Sequence, residues 1–313
     1  MEELTKKIVI PIDGSKNALR SFDYLKKMYG PKHKMDLSLL YVVPSLPPLL
    51  GGEKLTDKEV YASLTNAEQR LLNKANKVLN QAKQQLLAKG FEEKRIEMIA
   101  EKRRAGVGQN ICEWAENERV DAVLLTRRGQ TDLEMFFLGR VSDHVVGYCK
   151  DAPVWVMGGV SESKKVLVCV DNSENALRAV DHAGFMLGGT DAPVTVFHTM
   201  RHLKRYIPED VLEETPELEE LWKKKAGEDI APFMEKARDM LLKAGLAQSQ
   251  VTSKIVEGSR SPADDILKEA RENGYGTIVL GRRGISGIKG FLFGSVTKKI
   301  LNQATGLTIW LVQ

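Results

Sequence analysis

KKIVIPIDGSKNALR at residues 6–20 and KKVLVCVDNSENALR at residues 164–178 share one order of residue types: two lysines, a short apolar run, an aspartate, a small polar residue and a helix start. The likeness continues far downstream. DAVLLTRRG, ending at Gly129, matches GTIVLGRRG, ending at Gly284, and FFLGRV at 136–141 matches FLFGSV at 291–296. Gly129 and Gly284 are separated by the same length of chain as Gly139 and Gly294, and Asp13 and Asp171 by only three residues more. An offset that holds through a whole half marks a duplication. The 313 residues therefore divide into two domains, 1–159 and 160–313, with the boundary in GGVSES at 158–163.

Within each half the expected order is strand, helix, strand, helix, strand, helix, strand, helix, strand. In the first half the strands are expected near 7–12, 37–43, 95–100, 121–126 and 153–157. Their β-branched, continuously apolar character suits a sheet buried on both faces. Ala18, Phe22, Leu25 and Tyr29 fall on one helical face, as do Leu71, Ala75, Val78, Ala82 and Leu86. Gly90 and Gly245 stand where left-handed helix stops are needed, and Ser261–Pro262 reads as an N-cap followed by a first helical residue. The alternation predicts an α/β fold with parallel sheets covered by helices on both sides. The segments 44–64 and 201–229 are read as long irregular connections, which in a compact domain mark functional or mobile loops.

Composition is that of an ordinary globular chain, 42% hydrophobic and 28% charged. A net charge of +4, from 46 basic and 42 acidic residues, makes no electrostatic case for nucleic acid as a partner. No apolar run approaches the 18 residues or so of a membrane span, and the N-terminal run is too short for a signal-peptide core. Cys112, Cys149 and Cys169 are widely spaced and form neither a CxxC pair nor a zinc pattern, so a reducing cytoplasm is expected and Cys112 is read as a packing residue. His198 and His202, without a neighbouring ligand in sequence, are read as structural.

In open α/β sheets ligands sit beyond the carboxyl ends of strands, where strand order reverses. Asp171 closes the first strand of the second half and Gly281 the fourth, so both are expected at one crevice. Gly281 would let a bulky group approach the backbone, Gly284 and Gly294 would turn N–H groups inward, and Ser295 opens a helix whose N-terminus attracts anions. Asp13 and Asp171 have a second reading as helix caps, favoured for Asp13. Arg282 and Arg283 recur as Arg127 and Arg128, so a solvated or interface role stands beside phosphate steering.

The pattern G-x2-G-x9-G-S met by Gly281, Gly284, Gly294 and Ser295, joined to the VDNSENALRAV and IDGSKNALRSF openings, resembles the universal stress protein family twice over. The resemblance implies five-stranded sheets of order 3-2-1-4-5, adenine nucleotide α-hydrolase-like, with ATP at the reversal. Carried onto this chain, it puts Cys169 and Thr199 beside the adenine and Asp171 on the adenosine side. Gly281, Arg282 and Gly284 would run along ribose and phosphates, with Ser295, Val296 and Thr297 at the terminal phosphates and Mg2+ bridging them. It also implies an internal pseudo-dimer through the terminal strands PVWVM and LTIWLV, with a homodimer through the same strand as a further outcome. The first half departs from the signature at Thr126 and Arg140, so one nucleotide per chain is expected.

The leading reading is an ATP-binding regulatory stress-response protein with an unidentified protein partner. A slow ATPase or self-phosphorylating enzyme and a nucleotide-free interaction scaffold are the alternatives. Against an enzyme, the sequence has no Walker lysine loop and no kinase HRD or DFG set. The SGGxDS loop of ATP pyrophosphatases and the HIGH and KMSKS motifs of class I synthetases are also missing.

Overall fold

Strand and helix alternate through both halves of the computed structural model, which describes residues 5–31, 33–46, 58–127, 140–159, 161–259, 261–282 and 294–313. The first half runs β1 (Lys6–Pro11), α1 (Lys16–Tyr29), β2 (Met35–Val43), α2 (Lys58–Ala88), β3 (Ile96–Lys102), α3 (Val107–Asn117), β4 (Ala122–Thr126), α4 (Arg140–Tyr148) and β5 (Val154–Met157). The second runs β6 (Val166–Cys169), α5 (Glu174–Leu187), β7 (Val194–Met200), α6 (Glu209–Glu214), α7 (Glu217–Lys243), β8 (Val251–Glu257), α8 (Pro262–Glu272), β9 (Thr277–Gly281), α9 (Ser295–Gln303) and β10 (Thr308–Val312). Two compact units result, one ending at Val154 and the other beginning at Trp155.

In the first half the strand order is β3-β2-β1-β4-β5, and in the second it is β8-β7-β6-β9-β10. Neighbours pair in parallel, β1 with β2 and β4 in the first unit, β6 with β7 and β9 in the second. Each half thus has the 3-2-1-4-5 sequence, reversing direction between its first and fourth strands. Central strands are buried on both faces: every residue of β6 and β10 is buried, as are the first four of β9. That burial explains why they read as unbroken apolar runs rather than alternating ones. Helix faces follow the sequence pattern. Ala18, Phe22, Leu25 and Tyr29 are buried along α1; of the face expected on α2, Ala75, Ala82 and Leu86 are buried while Leu71 and Val78 are half-buried, and Leu79 takes the buried place.

Gly90 and Gly245 end α2 and α7 at φ of 95° and 97°, a conformation that glycine adopts without the penalty of a side chain. The helix caps differ from expectation. Ser15 and Ser173, not the aspartates, cap α1 and α5, their hydroxyls accepting from the N–H of Ala18 and Ala176 at 3.4 and 3.2 Å. Asp13 and Asp171 sit two residues earlier, each accepting from the N–H of its serine at 2.9 and 3.1 Å. The aspartates orient the caps because a carboxylate reaches a backbone N–H two residues on more readily than one further along.

Two further expectations are corrected. The segment 201–229 is largely helical, carrying a 3-10 turn at Leu203–Arg205, α6 and the first half of α7. Its run of Glu, Lys, Leu and Ala is rich in helix formers, and Glu217, Glu219 and Glu220 complement the positive end of α7. Of 44–64, residues from Lys58 are in α2, and 47–57 lie outside the described residues. Cys112 of α3 and Cys149, just after α4, are joined as a disulfide across 37 residues of chain, leaving Cys169 as the buried free thiol. Packing of α3 against α4 makes the pair, which spacing along the chain does not reveal. With that bond present, cysteine usage no longer argues for a reducing compartment. Among the described residues no helix is long and apolar enough to cross a membrane.

Candidate functional site

The carboxyl ends of β9, β6 and β7, neighbours in that order, open into a cavity of about 480 Å³ within the second unit. That volume falls in the range of about 300–1,000 Å³ typical of small-molecule sites. Cys169 ends β6 and Asp171 follows it in the cavity wall, Thr199 comes from β7, and Gly281 from the end of β9. Gly294, Ser295, Val296 and Thr297 line the same cavity from the start of α9. Eight of the ten residues singled out in the sequence therefore share one cavity.

The start of α9 gives the cavity its hydrogen-bond donors. Gly294 is the N-cap and has no side chain to offer, so no capping side chain bonds the first turn. Its own N–H is spent on the carbonyl of Arg282 at 3.1 Å, and the first intrahelical bond runs from the Lys298 N–H to the Gly294 carbonyl. The N–H groups of Ser295, Val296 and Thr297 precede that bond and have no carbonyl one turn back, which leaves three donors at the positive end of a helix. Thr297 is buried, and its hydroxyl donates to the Gly281 carbonyl at 3.2 Å, tying α9 to β9. Ser295 carries the exposed hydroxyl of the set. Gly294 has φ −67° and ψ 154°, extended backbone open to any residue.

Across the cavity acceptors and donors are mixed, with Asp171 and Asp229 beside Arg201 and Lys225. Asp171 accepts from both the N–H and the hydroxyl of Ser173. The Thr199 hydroxyl donates to Asp265 at 2.9 Å, which also holds the Ser259 N–H, so Thr199 braces the wall it lines. His198 Nδ1 bonds the Val170 carbonyl at 2.8 Å; burial lowers its pKa, opposed by that carbonyl and by Asp171 and Asp229. His202 accepts from the Lys204 N–H, and among the described residues no group of three or more His, Cys, Asp or Glu could hold a metal ion. Burial pushes the Cys169 thiol well above its usual range, which makes it an unreactive wall residue.

Gly281 is needed for a reason other than ligand approach. A methyl group on it would lie 2.9 Å from the carbonyl carbon and oxygen of Asn175, so the missing side chain lets the first turn of α5 pack against the end of β9. Arg282 is absent from the cavity wall. Its side chain is buried, its N–H donates to the Val312 carbonyl at 2.7 Å, and its carbonyl receives Gly294. Arg127, its counterpart in the first half, is also buried, so neither has the solvated role considered from sequence. Gly284 and Arg283 lie outside the described residues, as does the side chain of Arg140.

Helix α7 supplies a wall that sequence reasoning missed. Trp222, Ala226, Asp229 and Ile230 face the cavity at helical spacing, with Tyr206 from the preceding turn beside them. The apolar members of this stripe are too few among the surrounding charges to stand out as an amphipathic face. Arg201, the residue after β7, also lines the cavity, and its guanidinium donates to the Tyr206 hydroxyl at 3.4 Å.

A doubly wound parallel sheet with a cleft at its strand-order reversal, repeated within one chain, defines a ligand-binding α/β class. The chain belongs to the universal stress protein family, whose model matches residues 5–157 and again 162–306. Universal stress protein YxiE of Bacillus subtilis is 27% identical over 150 residues, covering 45% of this chain and 93% of that protein. Universal stress protein MJ0531 of Methanocaldococcus jannaschii is 27% identical over 146 residues, covering 46% of this chain and 78% of its own. The crystal structure of a universal stress protein from Archaeoglobus fulgidus shares the fold over 97% of both chains, with a TM-score of 0.65 at 22% identity. Both halves are thus copies of the family domain, and the protein falls among stress-response proteins.

Proposed function

We propose that the protein is an ATP-binding regulator of stress response that holds one nucleotide in its second domain and acts through occupancy rather than turnover. The observation that carries this reading is the polarity of one cavity: three uncapped amides of Ser295, Val296 and Thr297 at one end, Asp171 at the other. Amides at a helix start favour phosphate oxygens. A carboxylate accepts from ribose hydroxyls or an amino group and repels a triphosphate. The nucleotide therefore lies with its phosphates on α9 and its adenosine toward β6 and β7, bordered by the backbone at Cys169 and Thr199. The described residues contain no metal-binding cluster, so a divalent cation such as Mg2+ would be carried by the phosphates themselves.

The first domain serves as the contrast. Among its described residues the cavity at the equivalent strand ends measures about 180 Å³, below the usual ligand range, and the larger one of about 780 Å³ lies instead between the loop after β1 and α2, lined by Gly14, Lys77 and Gln81. Titration calorimetry of the full chain with ATP, together with mass spectrometry of gently denatured protein, tests the reading. One ATP per chain is the expected stoichiometry. No heat at millimolar ATP, or two nucleotides per chain, overturns it.

A further inference from the structure

The β7 side of the cavity is built differently from its α9 side. Trp222 is half-buried at the cavity, its indole N–H donating to the Arg201 carbonyl at 2.7 Å, and the Tyr206 ring lies 5.5 Å from it. The wall is pinned at a second place, where Asp229 accepts from the Asn172 side chain at 2.6 Å, tying α7 to the loop after β6. Two bonds to two strand ends fix the indole over the cavity, although the buried residues of α7 begin only at Ile230. From β9 to β7 is two strand spacings, about 10 Å. A ligand anchored on α9 and long enough to cross the cleft meets an aromatic surface.

At this side two carboxylates, Asp171 and Asp229, stand with two cations, Lys225 paired with Glu228 at 3.0 Å and Arg201 donating to the Tyr206 hydroxyl at 3.4 Å, so charge does not favour an anion here over a neutral group. A flat, uncharged ring suits it, because every nucleobase has a face that stacks on an aromatic side chain. We propose that Trp222, supported by Tyr206, is the base-binding residue of the second domain and forms a stacking wall that makes the cleft select nucleotides over simple polyphosphates. This rests on the ATP reading of the cavity and adds the residue that recognises the base.

The test uses the full chain as wild type, Trp222→Ala and Trp222→Phe, with ATP affinity measured by calorimetry and indole emission followed in parallel. Trp155 and Trp310 are fully buried and Trp114 belongs to the first unit, so an ATP-dependent emission change reports on Trp222. Trp222→Ala is expected to weaken ATP about tenfold or more, the loss of one stacked base. Trp222→Phe is expected to keep affinity within a few-fold and lose the emission change. ATP bound by wild type with the emission change persisting in Trp222→Phe overturns the inference and leaves the ATP reading standing. Unaltered affinity in folded Trp222→Ala does the same. Should Trp222→Ala fail to fold, the emission arm with Trp222→Phe still decides. Wild type that binds no ATP overturns both.

Discussion

The indole rings of Trp155 and Trp310 lie parallel within the second unit, centroids 3.9 Å apart and planes 1° from each other. His182 of α5 stands edge-on to both, and its Nε2 accepts from the Trp155 N–H at 3.1 Å. An imidazole that accepts at Nε2 there has no proton on that atom. Burial holds its pKa down at about 3. The folded pKa lies below the unfolded value near 6.5, so the stabilisation is complete above about pH 6.5 and is lost as pH falls toward 3. The loss runs at up to about 1.4 kcal/mol per pH unit. Urea unfolding of wild type is expected to give roughly 2 kcal/mol less stability at pH 5 than at pH 7.5 from this group. His182→Gln keeps an acceptor for Trp155 without titrating and removes that part of the slope. An identical slope in the variant would sink the assignment.

Gly281→Ala is expected to destabilise the second unit while the first is untouched. The new methyl would meet the Asn175 carbonyl at 2.9 Å, closer than carbon tolerates, and the obstacle is backbone, which cannot rotate away. Overpacking of this kind costs about 1–3 kcal/mol. Thr126 ends β4 at the same point of the first repeat, so a side chain there is compatible with that copy of the fold. Denaturant unfolding is expected to show a lower midpoint for one transition. An unchanged curve would mean that α5 can shift aside.

The disulfide gives a chemical count. Alkylation of the unfolded chain without reductant is expected to label one thiol, Cys169, and with reductant all three cysteines. Closing a loop of this size stabilises a fold by about 3–4 kcal/mol, so reduction is expected to lower the stability of the first unit alone. Three labels without reductant would contradict the bond. Purifying the protein in a thiol-blocking buffer keeps the count free of later oxidation.

What could be read from the sequence followed from how local each signal is. Continuous apolar runs gave β1 and β4 to within a residue or two, because central parallel strands carry no polar face to confuse the pattern. Cys169, Asp171, Thr199, Gly281 and the start of α9 share one cavity because strand ends at the order reversal have to converge. Trp222 was not legible, since its place depends on where α7 is pinned by Arg201 and Asn172, contacts far apart in sequence. Pairing of Cys112 with Cys149 and the close approach of Gly281 to Asn175 are likewise tertiary facts with no local signature.

The role of the α9 amides can be separated from that of the serine hydroxyl by one substitution. Ser295 is the first residue of α9, where proline is tolerated because its missing N–H has no intrahelical partner to lose. Gly294, at ψ 154°, already has the extended backbone required before a proline. Ser295→Pro is therefore expected to leave the far-ultraviolet spectrum and the unfolding midpoint near wild type while removing one donor from the cleft. Hydrogen bonds to a charged group are worth about 1.5–3 kcal/mol, so ATP affinity should fall by roughly 10- to 100-fold. Ser295→Ala, which keeps the amide and loses only an exposed hydroxyl, should cost less. If the alanine variant loses as much affinity as the proline variant, the hydroxyl is the donor that counts and the backbone cradle is not. If neither loses affinity, the phosphates lie elsewhere in the cavity.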